Sequence, residues 1–409
     1  GKLHRFFIAF GWGTFVVLVP KIVLGSGSDQ IDLIIKGLSE LLFQTNVYLT
    51  AALLVWHLAS FKRMITVMSE IVRKVTQDDQ SKRYYNLICK ENSQLNKFGK
   101  CFAIYVINGS LFYCFPPMAI SYLRYFGSSN NSTGNGSVSQ QPIQFELSME
   151  QDFYGLQIRT NFAHYHIFMA CSLLACFTGA YFSTIKITAI INGMKCSSLA
   201  YRLVAMEVRK LSTIPKITTA EIKEIIELHT KAFEITDLLE NMINIPLATQ
   251  FLTCLLYWCL VMFYVSIDIN MSLLNVAIPF VVSLAETYAY SYLGSELTAE
   301  AQEVGHAIYE LPWYEASVEL QRYYRLIIQR SQQATGTTAV KFFLVGIDKF
   351  GGFDEPFLIL STTLSCHSIA SSWPDTSSSC TALRSLCLRT RPGRWPSRSS
   401  ADRFPCSAV

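Results

Sequence analysis

Charge is what this chain has least of. Asp, Glu, Lys and Arg make up 16% of it, where ordinary soluble domains carry about 25%. With 409 residues, 51% of them hydrophobic, and a mean hydropathy of +0.28, that scarcity excludes two or three soluble domains and points to a polytopic membrane protein. Catalytic motifs are missing too. There is no GxSxG elbow, no HExxH and no phosphate loop with GK[ST], so no enzyme and no cofactor are expected. None of the 12 cysteines forms a CxxC pair, which removes the usual zinc and redox arrangements. Those at 101, 114, 171, 176, 254 and 259 lie in apolar runs and are read as small hydrophobes. His164 and His166 look like a metal pair. Positions i and i+2 of a helix do not share a face, however, and no acidic or Cys partner lies nearby, so no metal is expected. The net charge is only +4 and the basic residues flank apolar runs instead of forming one patch, which argues against nucleic acid.

Long hydrophobic runs are what is there. Six lie at about 6–24, 38–59, 101–121, 162–191, 247–267 and 274–294, and a seventh starts at 338. About 20 residues of helix cross a hydrocarbon core of roughly 30 Å, and backbone groups in lipid have no partner but the helix itself. The fold class is therefore an all-α membrane protein. The first run follows Lys2, His4 and Arg5 and precedes a passable cleavage site at Gly25, as in a signal peptide, but it is longer than a signal core of about 7–15 residues. The sequence opens at Gly1 rather than Met, and a missing start is expected.

Lys and Arg orient the spans. The 60–100 connector carries nine of them and the 192–246 connector seven, against only Arg124 and Arg159 in 122–161 and none in 268–273. The positive-inside rule puts the first two connectors and the N-terminus in the cytoplasm. The glycosylation signals at Asn130, Asn131, Asn135 and Asn270 fall in the two connectors so placed outside. Residues 127–140 are low-complexity and expected to be disordered.

The inner connectors are patterned as helices. Ile222, Ile225, Ile226, Phe233 and Leu239 recur at roughly helical spacing, and Thr218 or Thr219 is placed to cap them. Residues 315–333 repeat the pattern behind Ser317. Either the spans simply extend as helices into the cytoplasm, or the extensions pack together and hold subunits. Residues 354–409 are Ser-, Pro-, Arg- and Cys-rich, an abrupt change that suggests out-of-frame material or a disordered basic tail.

Three elements resemble those of insect odorant receptors: Lys341-Phe342-Phe343 followed by Ile347, Asp348 and Phe350; Pro312-Trp313-Tyr314; and Tyr290-Ser291-Tyr292-Leu293-Gly294. The resemblance covers residues 1–353. It implies seven transmembrane helices with a cytoplasmic N-terminus and long cytoplasmic helical extensions that form an anchor between subunits. It also implies a small volatile odorant as ligand, a co-receptor subunit in a tetrameric cation channel, and a multi-pass place in the plasma membrane of a sensory neuron dendrite. The family's pocket lies in the outer half, among spans 2, 3, 4 and 6. That selects Gln44, Thr45, Tyr48, Phe112, Phe115, Met118, Tyr165, Phe168, Met169, Phe280 and Ser283. Pro116-Pro117 is expected to kink span 3 and widen the cavity. The last helix lines the pore in the family, which selects Lys341, Phe343, Asp348 and Phe350; the family's gate residues fall beyond the point where this sequence departs from the pattern. Glu286 joins them as a pocket or pore carboxylate, because an acidic group inside a span costs about 2.5–3.5 kcal/mol on insertion scales. Its bland alternative is a hydrogen bond to Tyr290, one turn on. A gustatory receptor has the same architecture, and Pro312-Trp313-Tyr314 favours the odorant branch. A G-protein-coupled receptor requires an outside N-terminus, against the count of basic residues.

Overall fold

The computed structural model describes residues 2–24, 31–77, 81–131, 144–214, 217–267, 273–333, 335–339 and 343–347. Helix α1 (Lys2–Gly13) continues through π-helical turns at Thr14–Leu18 and Pro20–Leu24. Pro20 has no N–H to give, which loosens the helical ladder at that point. Helices α2 (Ile31–Trp56) and α3 (Leu58–Val75) follow, then α4 (Ser81–Asn131), α5 (Phe162–Leu211), α6 (Thr219–Ile267), α7 (Leu273–Tyr309) and α8 (Val318–Ser331). Among the described residues, five helices are long and apolar enough to cross a membrane, within α1 and its π turns, α2, α4, α5 and α6. The sixth expected span falls in α7. The 50 residues of α5 reach about 75 Å at 1.5 Å per residue, far beyond a hydrocarbon core of roughly 30 Å. The spans therefore do run on as helices past the membrane. Helix α4 passes through Pro116 and Pro117 without a break in its assignment.

Those projections form the main core. Met64, Val67 and Ile71 of α3 pack with Tyr201, Val204 and Val208 of α5, Ile225, Ile235 and Leu239 of α6, Leu297 and Val304 of α7, and Tyr324 and Ile327 of α8. Burial of each such side chain contributes about 1.5–3 kcal/mol. The caps are the expected ones. Thr218 and Glu221 exchange backbone hydrogen bonds in a capping box at the start of α6, and the Ser317 side chain accepts from the Leu320 N–H at the start of α8. Ion pairs such as Lys74–Glu227 and Lys231–Glu70 edge the same region.

At the opposite end, residues 144–161 fold back over the bundle. Phe145, Leu147, Met149, Phe153 and Ile158 bury themselves against Val16, Val17, Tyr165 and Phe168. The segment reverses at Tyr154 and Gly155, both with positive φ, 48° and 74°; Gly155 adopts that conformation without a Cβ penalty.

One expectation is corrected. The run from 338 does not start as a helix: among its described residues only Ile347 is helical. Strand β1 (Thr338–Ala339) pairs antiparallel with β2 (Phe343–Leu344). The Thr338 N–H donates to Glu240 at 2.7 Å and the Val345 N–H to the Thr337 carbonyl at 2.8 Å, so these donors point sideways instead of along a helix axis. Gly294 makes room for the hairpin, since a Cβ there would run into the Val345 carbonyl oxygen. Lys341, Asp348 and Phe350 lie outside the described residues, as do Asn135, Asn270 and the 354–409 tail. The backbones of Asn130 and Asn131 close α4.

Candidate cavity between the outer halves of the helices

A cavity of about 240 Å³ opens between α2, α4, α5 and α7. Phe43, Phe102, Tyr105, Val106, Ile278 and Val282 give it apolar walls, and Met149 of the folded-back segment closes one side. Two of its glycines border empty or loosely filled space. A Cβ on Gly109 would meet nothing within 4 Å, and one on Gly179 would touch only the Gln44 amide, at 3.5 Å.

Three charged residues line the walls, Lys21, Glu40 and Glu286, and each is ion-paired. At one end Lys21 meets Glu40 at 2.5 Å and also donates to the Glu150 carbonyl at 3.0 Å. Glu40 in turn accepts from the Tyr113 hydroxyl and from the Glu150 N–H. Lys36 and Arg159 hold the Glu150 carboxylate at 3.3 Å and 2.7 Å. This cluster straps the 144–161 segment to α2. At the other end Lys186 of α5 meets Glu286 of α7 at 2.7 Å. Lys186 also donates to Gln250 Oε1 at 3.0 Å, an oxygen shared with the Asn46 amide at 2.7 Å. Gln250 Nε2 then donates to the Ser283 carbonyl at 3.1 Å. One polar hub thus joins α2, α5, α6 and α7. An intramembrane ion pair persists only when its geometry is good and its other lone pairs are met.

Of the residues expected from sequence, Gln44 and Glu286 line the cavity. Glu286 is paired with Lys186, whereas the Tyr290 hydroxyl has no hydrogen-bond partner among the described residues, so the Tyr290 alternative is set aside. Ser283 belongs to the polar hub behind the wall. Tyr48 packs beside Phe10 and Phe182, with its hydroxyl 3.4 Å from that of Thr178. Tyr165, Phe168 and Met169 are buried beneath the folded-back segment, with Met118 against them. Phe280 leans on Trp258 at 5.5 Å. Thr45, Phe112 and Phe115 do not line the cavity. They are exposed on the outside of the bundle, Phe112 by 80%, because an apolar helix in lipid shows apolar residues on its lipid face as well as its bundle face. The two histidines part company: His166 sits 2.7 Å from the Tyr122 hydroxyl, while His164 accepts from the Gln157 N–H. Among the described residues no cluster could hold a metal.

Sequence reasoning missed Lys21, Glu40, Tyr113 and Lys186. The available signal was opposite charges inside different apolar runs: Lys21 and Lys186 in two of them, Glu40 and Glu286 in two others.

Similarity to known proteins agrees with this architecture. The structure is similar to that of the insect olfactory receptor OR5 from Machilis hrabei, with a TM-score of 0.61, 14% identity and 87% of each chain covered. It is similar to the same receptor in complex with eugenol, at 13% identity and a TM-score of 0.61. A 70-residue stretch is 31% identical to the odorant receptor coreceptor of Aedes aegypti, spanning 17% of this chain and 15% of that protein. A 68-residue stretch is 31% identical to the coreceptor of Drosophila melanogaster, spanning 17% of this chain and 14% of that protein. The family described as 7tm Odorant receptor matches residues 30–351, most of the 409. The chain belongs to the seven-transmembrane odorant receptor family.

Proposed function

We propose that this chain is a ligand-binding odorant receptor subunit that takes a small volatile molecule into the cavity between α2, α4, α5 and α7. It works with a co-receptor subunit as a ligand-gated cation channel in the plasma membrane of sensory neuron dendrites. The observation that carries this reading is the cavity itself: apolar walls, few polar groups, and a strapped segment across one side, on the membrane half opposite the packed anchor. Such a site suits small apolar ligands. Ligand binding shifts a closed–open equilibrium by no more than its preference for the open arrangement. The anchor formed by α5, α6, α7 and α8 is the surface we assign to subunit assembly, and the N-terminus is assigned to the cytoplasm.

Gly109→Phe tests the cavity. The new ring has open space to enter and fills the site without disturbing the helix. Expressed with the co-receptor, the variant is expected to reach the cell surface and to lose odour-evoked current. An unchanged response would reject the cavity as the ligand site. A tag at Gly1 is expected to be reached by antibody only after permeabilisation; staining of intact cells would reject the orientation.

A further inference from the structure

The Lys186–Glu286 pair lies deep in the bundle, its side chains only 2% and 9% exposed. Nearly every polar group around it is already matched. Lys186 donates to Glu286 Oε2 and to Gln250 Oε1. Gln250 is saturated by Asn46, Lys186 and Ser283. Besides the Tyr290 hydroxyl, the exception is Glu286 Oε1, which takes no hydrogen bond from any described residue although Glu286 lines the cavity. A carboxylate accepts at both oxygens, and one held away from bulk water with an oxygen unmet is costly. Gln44 repeats the pattern: its Oε1 is buried without a partner, beside Gly179 in the same wall. The opposite end makes no such demand, because both Glu40 oxygens are taken, by Lys21 and Glu150 on one and by Tyr113 on the other.

We infer that the ligand of this cavity is a neutral hydroxyl compound, an alcohol or a phenol, whose O–H donates to Glu286 while its carbon skeleton fills the apolar walls. The inference rests on the cavity being the ligand site. Neutrality follows from the charged groups that line the cavity, Lys21, Glu40 and Glu286, each of which already has its ion-pair partner, so none is left free to balance a charged amine or carboxylate. The donor follows from the unmet acceptors. In the empty cavity, water supplies that hydrogen bond. A ligand that displaces the water without replacing the bond loses affinity, and one that replaces it does not. Ethers, esters and hydrocarbons of equal size have no donor to offer.

Isomer pairs isolate this effect. Benzyl alcohol and anisole share one formula and differ in the hydroxyl, as do n-hexanol and methyl pentyl ether. Binding to the detergent-solubilised full chain is measured by ligand-induced thermal shift over a concentration series. The hydroxyl isomer of each pair is expected to bind about ten- to a hundredfold more tightly, the range of a hydrogen bond to a charged group. The double variant Lys186→Met/Glu286→Met removes both charges together and leaves no unpaired ion; it is expected to bring the ratio to about one while keeping the affinity of the ether. Equal binding of the two isomers by the unaltered chain overturns the inference and leaves the cavity as a ligand site. A preference that survives in the double variant also overturns it. Binding of neither isomer overturns the ligand-site reading and this inference with it.

Discussion

The two ends of the long helices are built on opposite terms. At the anchor end, α5 and α6 approach so closely that a Cβ on Gly193 would lie 2.6 Å from Leu239. At the other end, a Cβ on Gly109 would meet nothing at all. Polar groups divide the same way. The anchor buries mostly neutral groups: the Thr236 hydroxyl sits 3.1 Å from that of Tyr201 and 2.7 Å from that of Ser197, and His229 Nε2 is left without a partner. The cavity end instead buries two ion pairs, Lys21–Glu40 and Lys186–Glu286. Helices packed to crystal-like density transmit displacement, whereas helices held apart by a cavity can accept a ligand. Helices α5 and α7 serve both purposes because their 50 and 37 residues run well beyond a membrane span of about 20 residues.

The contrast can be broken from the anchor side first. Tyr201 is fully buried there, and Tyr201→Ala is expected to cost about 3–5 kcal/mol, the usual range for deleting a buried aromatic ring. Thermal unfolding of the solubilised chain measures it, and a loss under about 1 kcal/mol would mean that the anchor is not the stabilising region. Next comes pH. His229 in the anchor is 4% exposed and its Nε2 has no partner. Burial first, and the Arg330 charge second, push its pKa from the ordinary 6.5 down to about 4. The folded chain therefore resists a proton that the unfolded chain accepts. Stability is fully present above pH 6.5 and is lost as pH falls toward about 4, by about 3 kcal/mol in all at 1.36 kcal/mol per pKa unit. His229→Phe is expected to remove this slope; a slope that persists would place the sensitivity elsewhere.

The smallest effects sharpen the comparison from the cavity side. Gly109→Phe is expected to leave stability within about 1 kcal/mol, since glycine inside a helix is already unfavourable by about 0.5–1 kcal/mol, even as it removes the response to ligand. A drop like that of Tyr201→Ala would show the cavity end to be as tightly packed as the anchor. Phe112→Ala, on the outside of α4, is expected to change stability and ligand dose–response by less than the error of either measurement, about 0.5 kcal/mol in stability. A shifted dose–response would return Phe112 to the ligand site.

Much of this was legible in the order of residues, and the failures share one cause. Thr218 and Ser317 announced their helix starts because capping is local. Phe112 and Phe115 fall outside the cavity lining, because lipid and bundle interior are both apolar and periodicity does not separate the faces of a membrane helix. Lys186 was passed over because its partner stands 100 positions away. The run at 338–347 has the composition of a span but forms a hairpin, held by Glu240 of α6 and accommodated by Gly294 of α7.

Hydrophobic run length and the helical spacing of apolar residues in the connectors by themselves determined that this is an all-helical membrane chain with long helical extensions. Both are properties of consecutive residues, set by the thickness of a bilayer and the cost of exposing a backbone in it. Which charges face each other, which aromatic rings turn to lipid and where a cavity remains were decided only when α2, α4, α5 and α7 came together, because an ion pair between helices or a void between their walls belongs to no single stretch of sequence.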